Sequence, residues 1–371
     1  MKEEHFILTA ARTKLSEENV SVLKALSQAD INWDLVESIA TKHEVTPLIY
    51  YSLVESGLRD IIPNHTYEKF KTAFFQTTVH NSIFLQELDK VSKIIKNDLI
   101  LLKGIDLIQR CYPHIGVRRM VDIDLLIDKT VAYDNWELLI HEGFQAKCHQ
   151  VKSYQHKLVH HHLPSISRNK VQIEIHYDLF AGDKLMRFTE EARKTSNSYQ
   201  NNLYKLANEV MLIHLCIHFY WHLKTGVNLK MLCDINEFVG KYLQCIEWGE
   251  MDRFITQYNL KTKCCTALTY AYKLMDTPVP QKYLLKSICW KSRIALFTLL
   301  DGEKSGSIKT YLLKVNQLEK WCDKIAYIVR TCFPVKLWLI ERHYIQPSGN
   351  MLIAYFRYWH DMINLHMFKI A

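Results

Sequence analysis

The chain reads as an α+β protein, a small mixed β-sheet flanked by N-terminal and C-terminal helical regions. Three observations predict it. Both ends carry hydrophobes at three- and four-residue spacing, the helical period. The middle instead holds short apolar or alternating runs bounded by turn residues. Glycine and proline, 11 and 8 in 371 residues, are too scarce for a turn-rich all-β protein. The organisation expected is an N-terminal helical lobe over 1–96, an α/β core over 97–200 and a C-terminal helical domain over 201–371.

In the first region, Glu17 to Leu26 and Trp33 to Lys42 have the helical period. Pro47 belongs near the start of a third helix, which Gly57 stops. Tyr67 to Lys96 carries Phe70, Phe74, Val79, Phe84, Leu88, Val91 and Ile95, a long amphipathic helix with room for one break. It leads straight into Leu99-Ile-Leu-Leu102, an apolar strand that ends at Lys103-Gly104. Asp106 to Arg110 then forms a short helix, whose N-terminus would attract phosphate.

The next strand alternates acid and hydrophobe: Asp122, Ile123, Asp124, Leu125, then Leu126 and Ile127. Successive side chains of a strand point to opposite faces, so Asp122 and Asp124 share one face at a spacing of roughly 6–7 Å. Ile123 and Leu125 face the core. Neighbouring carboxylates repel unless a cation sits between them, and hard oxygen ligands suit Mg²⁺ together with a substrate's phosphates. The pair alone fits either a metal site for phosphoryl or nucleotidyl transfer or the solvated face of an edge strand. Asp128 follows as the strand ends and is placed outside the site.

Tyr133 to Glu142 reads as a helix closed by Gly143, with a short strand over Phe144 to Cys148. His156 to Pro164, with His160, His161 and His162, is expected to be the hairpin partner of the next strand, His160 and His162 together and His161 opposite. That strand, Val171 to Asp178, follows the turn signal Ser167-Arg-Asn-Lys170. Gln172, Glu174 and His176 share its polar face. Should it lie beside the Asp122 strand, Glu174 completes a three-carboxylate cluster able to hold two metal ions ~4 Å apart. His176 either serves the substrate or orients Glu174 by a hydrogen bond.

These residues carry a resemblance. Leu101-Leu102-Lys103-Gly104, the short helix, Arg118, Asp122 to Leu126 and Glu174-Ile175-His176 resemble the DNA polymerase beta-type nucleotidyltransferase superfamily, and within it a family of uncharacterised bacterial nucleotidyltransferases. The flanks agree: Trp33-Asp34, Val45 to Tyr50 and the Asp234-Ile235 helix. The resemblance implies Mg²⁺, or Mn²⁺, held by Asp122, Asp124 and Glu174, which are also the catalytic residues. It implies a nucleoside triphosphate contacted by Lys103, Gly104 and Arg118, with Arg119 as an alternate and His176 near the substrate. The acceptor can be a small hydroxylated molecule, a protein side chain or an RNA end. The superfamily usually has Gly-Ser or Gly-Gly in the phosphate turn. Here Ile105 follows Gly104, so either backbone N–H groups and Lys103 serve instead or nucleotide binding is altered.

Beyond Lys205 the pattern is helical again. His214, His218 and His222 recur on one face of Ala207 to His222, a spacing that fits metal ligands or histidines hydrogen-bonded within a bundle. Asn228 to Val239 is a helix holding Asp234, which either faces the cleft or serves as a cap or salt bridge. Helices are expected over Ile325 to Cys332, ended by Pro334, and over Met351 to Met362. Ten cysteines without a Cys-x-x-Cys pair read as free thiols. A formal charge of +8, spread along the chain, permits an anionic substrate but does not demand nucleic acid. No signal peptide and no spanning apolar stretch are evident, so a cytoplasmic protein is expected. Two other functions fit: a non-catalytic protein that keeps the fold and binds nucleotide or a partner, and a metal-dependent phosphohydrolase built on the histidines.

Overall fold

The computed structural model describes residues 2–146, 161–180, 186–223, 228–285 and 351–367, with single positions between 325 and 350. The chain divides into two compact units, one of residues 1–222 with 227–300, the other of 223–226 with 301–371.

The first unit opens with helices α1 (Lys2–Ala10), α2 (Glu17–Ser27), α3 (Trp33–Lys42) and α4 (Thr46–Glu55). Local chemistry sets their ends. Ser16 and Asn19 form a reciprocal capping box on α2, and the Asn32 side chain caps α3. Pro47 lies in the first turn of α4, where its missing N–H goes unneeded. Gly57 follows at φ +64°. Helix α5 (Asn64–Ile94) runs 31 residues without the break allowed for. Its buried stripe is Phe70, Phe74, Thr77, Asn81, Phe84, Leu88 and Val91, while Val79 is 63% exposed. Val79 is therefore not part of the apolar face. Thr77 and Asn81 hold that stretch of the stripe, and Asn81 is turned toward the loop that precedes Asp122.

The core follows as β1 (Leu99–Leu101), α6 (Lys103–Arg110), β2 (Ile123–Leu126), α7 (Ala132–His141), β3 (Gln145–Ala146), β4 (Ile166–Arg168) and β5 (Val171–His176). Then come α8 (Met186–Lys194), β6 (Asn197–Gln200) and β7 (Leu203–Lys205). The seven strands make one mixed sheet, ordered β3-β4-β5-β2-β1-β7-β6. Leu99 and Leu101, Ile123 and Leu125, and Val171, Ile173 and Ile175 share a core with Phe84, Leu88 and Val91 of α5 and with Trp136 and Leu139 of α7. One sheet face is thus sealed, and the other carries the polar alternates. The tight-turn hairpin partner of β5 is Ile166–Arg168, and the described end of the histidine segment also pairs with β5 in antiparallel sense, His162 opposite His176. Asn169 and Lys170 both take positive φ, the two-residue turn that suits a twisted hairpin. His161 to Leu163 continues along the same edge, with backbone bonds to Ile175, Tyr177 and Asp178. Residues 156–160 lie outside the described part. The β6–β7 hairpin was not foreseen. Its signal is Asn201-Asn202, with Asn201 at φ +50°.

Helices α9 (Asn208–His222), α10 (Leu229–Tyr242), α11 (Trp248–Gln257) and α12 (Lys261–Met275) follow in the first unit. In the second unit, α13 (Met351–Met367) buries Ala354 and Tyr358 against Leu339. Of the expected Ile325 to Cys332 helix, Ile325, Val329 and Cys332 are helical, while Pro334 and the rest lie outside the described residues. Among the described residues no helix is long and apolar enough to cross a membrane. The cysteines described, Cys111, Cys216, Cys233, Cys245, Cys264, Cys265 and Cys332, are free.

Candidate active site

Strands β2 and β5 are parallel neighbours in a register that sets Asp124 opposite Glu174 and Leu126 opposite His176. Adjacent strands lie about 4.8 Å apart, so both acids stand side by side on the polar face. Ligand atoms of Asp124, Glu174 and His176 lie within 4.8 Å of one another. Asp122, two residues earlier on that face, is only partly buried and outside this tightest group. It still belongs to the same electrostatic cluster. Burial and then the charge of Asp124 push its carboxyl up to about 7, with Glu174 adding to the effect.

Asp124 is 2% exposed. Its Oδ1 accepts from Lys103 Nζ at 2.9 Å and from His176 Nε2 at 2.8 Å. Burial works against its charge, but Lys103 and the His176 bond hold the carboxyl well below the usual range. An ionised carboxylate only accepts, so Nε2 carries the His176 proton. Burial keeps that imidazole neutral, against the pull of Asp124. Its Nδ1 is then a bare acceptor, and it is buried without a hydrogen-bond partner. His176 therefore holds Asp124 rather than Glu174, whose Oε2 is 3.7 Å away. Glu174 accepts instead from Gln172 Nε2 at 3.2 Å.

His161 does not turn away from the site. Its ring centroid lies 5.0 Å from that of His162 and 5.2 Å from that of His176. Burial and the neighbouring His176 push it down to about 2, so it is neutral at any working pH. On α9, His214 is buried with neither ring nitrogen hydrogen-bonded, which departs from the bundle expectation. Burial and the nearby Lys103 charge lower it to about 3. His218 and His222 pack edge to face at 4.6 Å. Among the described residues these helix histidines form no convergent metal-ligand group.

Lys103 opens α6 at φ +46°, a region residues with a Cβ rarely adopt. Gly104 follows against Arg118, where an added Cβ would come 2.6 Å from Nη1. Any side chain there would have to displace the guanidinium, whatever residue follows it. Arg118 is itself fastened by a fork to Asp234 of α10, Nε–Oδ1 at 2.6 Å and Nη2–Oδ2 at 2.7 Å. Tyr112 donates to the same carboxylate at 2.7 Å. Asp234 is thus the salt-bridge partner of Arg118, and Nη1 is the Arg118 nitrogen facing the Gly104 turn. Arg119 is exposed. Asp128 lies apart, binding Thr130 and Arg193.

The loop delivering Asp122 is held by a residue that sequence reasoning missed. Asn81 of α5 donates to the carbonyls of Ile115 and Arg118 at 2.6 and 2.7 Å and accepts from Met120 N–H at 3.1 Å. His80 Nε2 meets the Met120 carbonyl at 2.9 Å. The signal was an asparagine at a stripe position of an amphipathic helix, where a hydrophobe is expected.

The model of a family described as "Uncharacterised nucleotidyltransferase" matches residues 29–276. No curated protein and no solved structure matches the chain.

Proposed function

The chain belongs to this uncharacterised nucleotidyltransferase family, and we propose that it moves a nucleoside monophosphate from a nucleoside triphosphate to an acceptor hydroxyl, with Mg²⁺ as cofactor. The observation that carries the reading is the register of β2 and β5, which sets Asp124 beside Glu174 on a sheet face otherwise sealed behind by hydrophobes. The donor set fits a divalent cation. Three carboxylates offer hard oxygens, and burial together with the charges of Asp124 and Glu174 raises the Asp122 carboxyl against the pull of Lys103 and Arg118.

Asp122, Asp124 and Glu174 would hold up to two ions, which supply charge neutralisation and a more acidic acceptor hydroxyl. The chain's own groups do the rest. Lys103, Arg119 and Nη1 of Arg118 bind the triphosphate and offset the charge that builds up on transfer. Glu174 takes the acceptor's proton. The acceptor oxygen bonds to the α-phosphorus, the bond to the bridging oxygen breaks, and pyrophosphate leaves with that electron pair. His176 keeps the Asp124 carboxylate in its rotamer.

The test is thermal stability with each nucleoside triphosphate, with and without Mg²⁺, on the native chain and on the Asp122→Asn/Asp124→Asn double variant. A ligand bound only by the folded state raises the Tm. A Mg²⁺-dependent rise with one triphosphate, lost in the variant, supports the reading and names the donor. Labelled donor is then offered to small hydroxylated molecules, proteins and RNA, and label in one class identifies the acceptor. No rise with any triphosphate removes the proposal in favour of a fold retained for binding a partner.

A further inference from the structure

Lys103 sits unusually for a lysine meant only for phosphate. From its left-handed backbone, at φ +46°, the side chain reaches back over the sheet to Asp124. The ammonium is largely enclosed, its side chain 17% exposed, and it lies in the joint field of Asp124, Asp122 and Glu174. It shares Oδ1 of Asp124 with His176 Nε2. That oxygen is therefore already taken by two donors. Glu174 and Asp122 have no such cation in direct contact among the bonds described.

Charge counting agrees with the geometry. Fully ionised, as they are once a cation is bound, the three carboxylates carry three negative charges, of which Lys103 cancels one. A single divalent ion cancels the remaining two. A second one, before any triphosphate arrives, would leave the partly buried site with two excess positive charges, an unfavourable placement without a partner. Without the Lys103 charge, two ions leave an excess of one, no larger than the single negative charge that one ion leaves.

We propose that Lys103 is the resident cation of the carboxylate cluster, holding one of its two cation positions on Asp124 so that the nucleotide-free protein loads a single divalent ion. This rests on the nucleotidyltransferase reading above. A triphosphate carries more negative charge than Asp124. When it binds, Lys103 exchanges the carboxylate for phosphate oxygens, and Asp124, freed of the ammonium, would then be able to hold a second ion. The exchange swaps one ion pair for another and makes or breaks no covalent bond. His176 stays on Asp124 throughout and keeps the vacated carboxylate in place.

The experiment counts bound Mn²⁺ by equilibrium dialysis with electron paramagnetic resonance of the free ion. The proteins are the full native chain, Lys103→Met, Lys103→Gln and Lys103→Arg, each checked for a cooperative melt. Each is measured alone and with the α,β-methylene analogue of the triphosphate that gave the largest thermal shift. The expected result is one ion in the native chain without nucleotide and two with it. The uncharged variants should hold two without nucleotide, and Lys103→Arg one. Two ions in the nucleotide-free native chain, a single ion in a folded uncharged variant, or no second ion with the analogue would each overturn the proposal. Those outcomes leave the nucleotidyltransferase reading standing. An absence of Mn²⁺ binding under every condition removes both.

Discussion

Replacing Asp122 by asparagine separates what this carboxylate does for the site from what it does to the fold. In the folded protein its carboxyl is raised from 3.8 to about 7, by burial and by the charge of Asp124. The native state then binds that proton more tightly than the unfolded chain does. Stability from this group is present at low pH and declines as pH rises from about 4 to about 7. At 1.36 kcal/mol per unit the shift sets a ceiling of roughly 4 kcal/mol above pH 7. The carboxyl is partly exposed, and solvent screening brings the expected value to about 2 kcal/mol. Asparagine keeps the shape and removes the charge. The variant should therefore match the native chain near pH 4 in EDTA and exceed it by about 2 kcal/mol at pH 8, or roughly 3 °C in Tm. Mg²⁺ should reverse the order, because only the native chain gains from binding it. Urea denaturation at pH 4, 6 and 8, with EDTA and then with Mg²⁺, measures both effects. A gap independent of pH, or a native chain more stable than the variant at pH 8 in EDTA, would refute the argument that Asp122 sits in an uncompensated field.

Three further outcomes follow from the same site. Asp234→Asn leaves the buried Arg118 guanidinium without its carboxylate and should lower stability by about 3–5 kcal/mol; a double-mutant cycle with Arg118→Met should show the double variant losing less than the two single losses summed. Gly104→Ala forces its Cβ toward Arg118 Nη1, and overpacking of this kind should remove about 1–3 kcal/mol in urea titrations. Its nucleotide-dependent thermal shift should fall with it. Asn81→Leu keeps the branching and heavy-atom count but strands the Ile115 and Arg118 carbonyls and the Met120 N–H, so a loss of about 2–3 kcal/mol is expected. Hydrogen exchange should then quicken over 115–120, and unchanged exchange there would argue against a clamping role.

Much of this protein was determined by the order of its residues alone. Alternation over Asp122 to Leu126 and Val171 to His176 told which side chains share a face, because strand geometry ties parity to direction. The turn at Asn169-Lys170 and the stripe along α5 were legible for the same reason, since each rests on local backbone preference. The family resemblance carried the core further, placing Lys103, Arg118 and Glu174 near one another. Only the tertiary structure decided what those residues hold. The register of β2 against β5 brings Asp124 to Glu174, and His176 to Asp124 rather than to its strand neighbour. Arg118 closes on Asp234 across 116 residues, Asn81 grips a loop that begins 34 residues away, and Lys103 folds back onto Asp124. Periodicity reports the direction in which a side chain points. The partner it finds there depends on which distant segment packs opposite, and on burial that makes an unpaired charge too unfavourable to leave alone.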